Sequence, residues 1–180
     1  MLQVDLKTIH NWVKQGHILG RRTKGRHLRF RRTEVVHFLR HSGHDVPSFI
    51  CTAPVRVLVS RPRGVRGKPF SLGRGIAQSG CEGLFAAAIE LATGYHEILV
   101  VDLDLHGLRC VLDMMDALRC RDDTCSIPMI GLSQKPAFRK DFIAQGGDAA
   151  LVLRAVELAA TIRWMAGGPT APPAPVALRQ

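Results

Sequence analysis

Between residues 5 and 18 the apolar side chains Leu6, Ile9 and Val13 recur at i, i+3 and i+7, the spacing of one helix face. Asp5 is placed to cap this helix by accepting a backbone N–H of its first turn. Gly16 is placed to end it, because a residue just past a helix terminus favours the left-handed conformation. The period then drops to two. Ile18 and Leu19 open a strand, Gly25 supplies a tight turn, and on the return Leu28 and Phe30 alternate with His27, Arg29 and Arg31. Thr33 is the expected cap of a second helix, packed through Val35, Val36, Phe38 and Leu39. Residues 42–54 mix Gly, Ser and two prolines, break both periods, and read as a linker.

Beyond the linker the pattern changes. Apolar runs at 55–59, 97–101, 127–132 and 148–153 read as buried strands, with a further strand expected within 80–88. Helical patterns lie between or after them at 108–118, 137–144 and 154–165. Continuous apolar strands alternating with amphipathic helices predict an α/β fold. Its sheet is parallel, of about five strands, and covered on both faces as a three-layer sandwich. From residue 167 to the end, at 180, the composition is that of a disordered tail. The order helix, basic hairpin, helix over residues 1–41 suits a small winged helix-turn-helix, in which one helix enters a groove and the hairpin grips phosphates.

Charge sharpens that reading. The chain carries a net +10, and residues 1–44 hold ten Lys and Arg against Asp5 and Glu34 alone, an excess of +8. Residues 55–166 hold 14 basic and 12 acidic side chains. The excess implies a polyanionic partner for the first quarter of the chain. A merely solvated basic surface is the competing reading, as is RNA. Yet no carboxylate interrupts the run of cations from Lys14 to Arg32, and such repulsion is tolerated mainly where counter-charge is expected. Double-stranded DNA is therefore the expected partner. The expected contacts are Lys7, Thr8, His10, Asn11 and Lys14 on the first helix, with Arg21, Arg22, Lys24, Arg26, His27, Arg29 and Arg31 on or beside the hairpin. No apolar run approaches the roughly 18 residues that cross a membrane, so a cytoplasmic, nucleoid-associated protein is expected. Five cysteines without C-x2-C spacing read as reduced, mostly buried thiols. No metal site and no cofactor are expected.

Residues 2–41 resemble the MerR-like, excisionase-type winged-helix family. Thr8, Trp12, Gly16, most of the run 22–30 and the pair Phe38–Leu39 match its pattern of a capped helix, R-T-P-G-G-H-R-R-F and a helix ending in F-L. Lys24 stands for the hairpin proline, Arg26 for the second glycine and Leu28 for an arginine. The resemblance implies a further helix ahead of Leu2, of which Leu2-Gln3-Val4 would be the tail; an upstream start or a truncation is expected on that ground.

Residues 55–166 resemble the response-regulator receiver domain, a flavodoxin-like fold, on the runs 100–108, 127–133 and 146–153. The resemblance places Asp102 at the phosphoacceptor position and Ser133 at the hydroxyl position. It also implies an acidic pair after the first strand, to hold Mg²⁺, and a lysine ending the fifth. Ser60 and Arg61 stand at the first and Leu153 at the second, with Arg154 one residue on. An arginine ion-paired to Asp102 is the expected substitute for the metal. The segments 64–71 and 73–80 do not fit phosphate-loop or dinucleotide patterns, and His106 beside Asp104 is not a catalytic dyad by itself.

A binding protein rather than an enzyme is thus expected: a bacterial transcriptional regulator with a non-phosphorylated receiver-like domain for dimerisation or partner binding. The alternatives are an excisionase-like architectural factor and a phosphorylation-dependent regulator using Asp102. A homodimer is expected, with the helix at 154–165 as one candidate surface and closure of the domain's own core as the other role for its Trp164.

Overall fold

The structure, a computed structural model, describes residues 5–22, 25, 27–64, 71–93, 95–168 and 177–178; residues 21–22 and 177–178 are described by their backbone alone. Helix α1 (Leu6–Lys14) begins at Asp5, whose carboxylate accepts the Thr8 N–H at 2.7 Å. It ends where His17 N–H donates to the Trp12 carbonyl and Gly16 N–H to that of Val13, with Gly16 at φ 75°. Strands β1 (Arg21–Arg22) and β2 (Leu28–Arg29) pair antiparallel, and α2 (Arg32–His41) follows. Trp12 and Phe38 hold the two helices together, ring centroids 4.8 Å apart.

Two expectations fail in this module. The residue preceding α2 is Arg31, not Thr33; Thr33 lies inside the first turn, 4% exposed, and its hydroxyl has no hydrogen-bond partner. Leu6, expected on the packed stripe, is 69% exposed, while Ile9, Trp12 and Val13 are half-buried. Residues 1–4, to which the expected preceding helix would connect, lie outside the described residues. Nor is the linker free chain. A 3₁₀ turn (Ser48–Cys51) lays Phe49 and Ile50 beside Ile9, Trp12 and Phe38 around an apolar groove of about 700 Å³.

The body of the molecule is one sheet of β3 (Val55–Arg61), β4 (Ile76–Glu82), β5 (Ile98–Asp102), β6 (Met129–Leu132), β7 (Ala149–Leu151) and β8 (Ala177–Leu178). Their order is β4-β3-β5-β6-β7-β8, with the first five parallel and β8 antiparallel to β7. For the parallel strands this is the flavodoxin-like order 2-1-3-4-5. Helices α3 (Leu84–Thr93), α4 (Leu103–His106), α5 (Leu108–Arg119), α6 (Pro136–Ala144) and α7 (Ala155–Met165) complete it. One face packs Leu58, Leu99, Val101 and Met129 against α3, α5 and α6; the other packs Val57, Val59, Val100 and Ile130 against α7 and Leu72. Between β6 and β7, the backbone at Gly147 runs so close to the buried Phe142 ring that a Cβ there would lie 2.1 Å from it.

The strand expected within 80–88 is instead β4, largely upstream, and α3 occupies most of that window. The tail expected to be disordered contributes β8, which hydrogen-bonds along the β7 edge. None of the five cysteines is fully buried, and none forms a disulfide. Cys110, for example, faces out of α5, whose inner face is taken by Val111, Met114, Met115 and Leu118.

Candidate nucleic-acid interface and its seat on the sheet

Helix α1 presents Lys7, His10, Asn11 and Lys14 to solvent on one side, with Thr8 half-buried beside Asp5. Hydrogen bonds from Thr8 hold the Asp5 carboxyl below its ordinary range. The cap is therefore charged at neutral pH and complements the amino-terminal end of the helix dipole. In the hairpin Arg21 pairs with Arg29 and Arg22 with Leu28. Arg29 and His27 are exposed while Leu28 turns inward. Lys24 and Arg26 lie outside the described residues, and Arg21 and Arg22 are described by backbone only.

Arg31 departs from the sequence expectation. Its guanidinium turns away from the hairpin surface and donates to the His96 carbonyl at 2.7 Å and to that of Asp123. Two arginines that the sequence reading did not single out do the same work. Arg32 pairs with Glu97 at 3.1 Å, both side chains 14% exposed, and donates to the Ala53 carbonyl at 2.7 Å. Arg40 donates to the carbonyls of Trp164 and Gly168 at 2.7 and 2.9 Å and lies over the Trp164 ring, 4.6 Å from its centroid. Burial pulls the Arg40 pKa down, yet a guanidinium stays charged, so its fork remains a donor.

Glu34 sits in the same seam. Burial pushes its carboxyl up, opposed by hydrogen bonds from the Ser126 hydroxyl and the Leu19 backbone and by the charge of Arg31. The carbonyls and side chains that receive the module precede β3, β5 and β6 or lie in the last turn of α7 and just past it. They therefore lie at the amino-terminal end of the parallel strands. The aromatic end of α7, a candidate dimer surface in sequence, is thus used within the chain: Ile162 and Met165 enter the sheet core and Trp164 receives Arg40.

At the opposite end of the sheet the receiver-like positions are paired with one another. Asp102 ends β5 and caps α4, its Oδ1 accepting the N–H groups of Asp104 and Leu105 at 3.0 and 2.9 Å. The Ser133 hydroxyl donates to Asp104 at 2.7 Å, not to Asp102. Desolvation pushes the Asp104 carboxyl up, but the Gln134 N–H, the Ser133 hydroxyl, Lys135 and Arg139 outweigh it together and leave it lowered. Ser60 Oγ lies 3.2 Å from His106 Nε2. Burial lowers the His106 pKa against the opposing pull of Ser60 and Asp102.

Arg154, one residue past Leu153, bonds to Glu157 at 3.1 Å while 70% exposed, so the expected ion pair with Asp102 is not formed by it. Ser60 and Arg61 supply no carboxylate where a receiver holds Mg²⁺; Asp104 accepts hydrogen bonds through both oxygens, and Asp102 accepts two through Oδ1. The residues present do not fit that ion.

Residues 1–42 match the family model of a helix-turn-helix domain. The solved structure of chemotaxis response regulator CheY4 of Vibrio cholerae is similar to this chain at 12% identity and a TM-score of 0.47, covering 63% of this chain and 99% of that one. No match was found among curated proteins. The chain thus joins a helix-turn-helix domain to an α/β body whose flavodoxin-like class is defined by its strand order.

Proposed function

We propose that the protein is a DNA-binding transcriptional regulator, its module of the MerR-like, excisionase type, held at a set angle on a receiver-like body that is not phosphorylated. The observation that carries this reading is the division of its arginines. Arg31, Arg32 and Arg40 are spent on carbonyls and Glu97 at the seat, while the polar face of α1 and Arg29 stay open beside it. A helix of suitable donors flanked by a cationic hairpin supplies base contacts and phosphate contacts from one small surface.

The body supports the second half of the reading. Asp102 is used as a helix cap, and its neighbours Asp104, Ser133, Ser60 and His106 bond among themselves. With no acidic pair after β3 to hold a metal, no metal ion would be there to screen an incoming phosphoryl group. The carboxyl end then serves as a surface for a protein partner rather than as a phosphorylation site.

Binding of the full chain to duplex DNA, followed against salt, tests the first half. The logarithm of the affinity should fall linearly with that of the salt, by about 0.9 for each phosphate contact. A flat dependence would sink the reading. Incubation with a small-molecule phosphodonor and Mg²⁺ tests the second half, and an adduct of about 80 Da on Asp102, the mass of one phosphoryl group, would overturn it.

A further inference from the structure

We propose that the cleft between the hairpin and the α/β body binds a small zwitterion with an apolar side chain, the size of an α-amino acid or a dipeptide. The cleft stands on its own geometry; only its effect on DNA rests on the reading above. Its volume is about 690 Å³, and it lies where the module meets the body, a usual place for small-molecule sites. Val13, Leu19, Leu28 and Arg29 line it from the module, Tyr95 and Asp122 from the body.

Other polar groups along the cleft are already engaged. Arg31 donates to the carbonyls of His96 and Asp123, the Asp123 carboxylate takes the Arg121 guanidinium through both oxygens, and the Ser126 hydroxyl bonds Glu34. Two charged groups are not. Among the described residues, the Arg29 guanidinium and the Asp122 carboxylate make no hydrogen bond or ion pair, either with each other or elsewhere.

Opposite charges left unpaired on the two walls of one cleft are complementary to a ligand that carries both. Arg29 offers a planar fork of N–H donors to a carboxylate, and Asp122 accepts from an ammonium. A simple anion would bring its charge against Asp122, and a simple cation against Arg29, so each would gain one contact and meet one repulsion. The apolar lining takes the rest of the ligand. Leu19 is 48% exposed and Tyr95 77%, one large side chain from each wall left in water. A ligand side chain held among them, with half-buried Val13 and Leu28, removes that surface from water.

Arg29 is also the exposed hairpin cation assigned above to a DNA phosphate. One fork cannot hold a carboxylate and a phosphate together, so the zwitterion competes with DNA.

The test is calorimetric titration of the full-length chain, without DNA, with phenylalanine and with the dipeptide leucylphenylalanine. At least one should bind at millimolar concentration or below. Phenethylamine and hydrocinnamate, which lack the carboxylate and the amine respectively, should bind several-fold more weakly. Arg29→Ala and Asp122→Asn should each weaken the zwitterion several-fold. Asp122→Asn should at the same time keep or improve the affinity for hydrocinnamate, which a misfolded variant would not do. Failure of both zwitterions to bind overturns the proposal, as does binding indifferent to the two substitutions or equal for the singly charged analogues. Saturation with the zwitterion should then weaken binding of duplex DNA; an unchanged DNA affinity overturns the competition. A chain that binds the zwitterion but ignores DNA would keep the cleft and sink the DNA reading.

Discussion

The amino-terminal module and the α/β body are held together by different physics. The body buries side chains from five parallel strands on two faces, among them Leu58, Val100, Ile130 and Phe142 at or near zero exposure. The module buries Ile18, Val36 and Leu39 with Thr33. What it lacks in core it replaces at the seam with guanidinium forks on carbonyls, ion-paired Glu97 and a ring beneath Arg40. Apolar burial is indifferent to direction, whereas planar forks on fixed carbonyls define an angle. The contrast teaches that arginines of a strongly basic segment can differ in use: Arg31, Arg32 and Arg40 set its placement while Arg29 stays exposed.

Breaking the placement group should have the largest effect. Arg40→Ala removes two charged hydrogen bonds and the contact with the Trp164 ring. It should destabilise the module against the body by about 2–3 kcal/mol, seen as earlier loss of amide protection in residues 32–41. Arg40→Lys should recover little of this, since an ammonium cannot make the fork. Equal protection in Arg40→Ala would show that the seam is held by apolar contacts instead.

The two uses are separated next by comparing Arg29→Ala with Arg31→Ala. The first should lower the salt slope of DNA binding by about 0.9, the loss of one phosphate contact. The second should leave the slope unchanged and loosen the seam. Identical slopes in both variants would erase the distinction.

A smaller effect comes from pH. Glu34 has its folded pKa raised by burial, so the folded state holds this proton more tightly than the unfolded state. Its cost to folding is present above the raised value and is relieved as pH falls toward the ordinary glutamate range. Asp104 works the other way: its lowered pKa contributes stability at neutral pH that is lost as pH falls through the lowered value. Glu34→Gln should therefore flatten the gain on mild acidification, which thermal unfolding between neutral pH and the ordinary glutamate range would register. An unchanged profile would remove Glu34 as its source.

The smallest effect is expected at Thr33→Val. The buried hydroxyl has no hydrogen-bond partner, so an isosteric methyl should be neutral or slightly stabilising. A clear loss of stability would restore the capping role assigned to Thr33 in sequence.

Much of this was legible in the chain because the signals are local. Asp5, Gly16 and the alternation through residues 27–31 place α1, the hairpin and α2 within a residue or two. The runs at 55–59 and 97–101 are strands because both their faces are buried. Strand β4 escaped because IAQSGCE, half-exposed on an edge, carries neither an apolar run nor an alternation. Helix α3 escaped because Phe85 and Ile89 are exposed at 81% and 49%, which hides the helical period behind near-continuous apolarity. Of the receiver-like positions, the sequence placed Asp102 and Ser133 at strand ends, but nothing in it tells that Ser133 bonds Asp104.

Periodicity, caps, turns and the lopsided charge are properties of neighbours along the chain, so the sequence by itself determined a helix–hairpin–helix, a parallel sheet and a cationic first quarter. Strand order, the destination of Arg31, Arg32 and Arg40, and the end of the sheet on which the module sits were decided by tertiary structure alone. The physical reason is that a charge in a sequence has a sign but no direction. Its partner here is a backbone carbonyl tens of residues away, which every sequence possesses and none advertises.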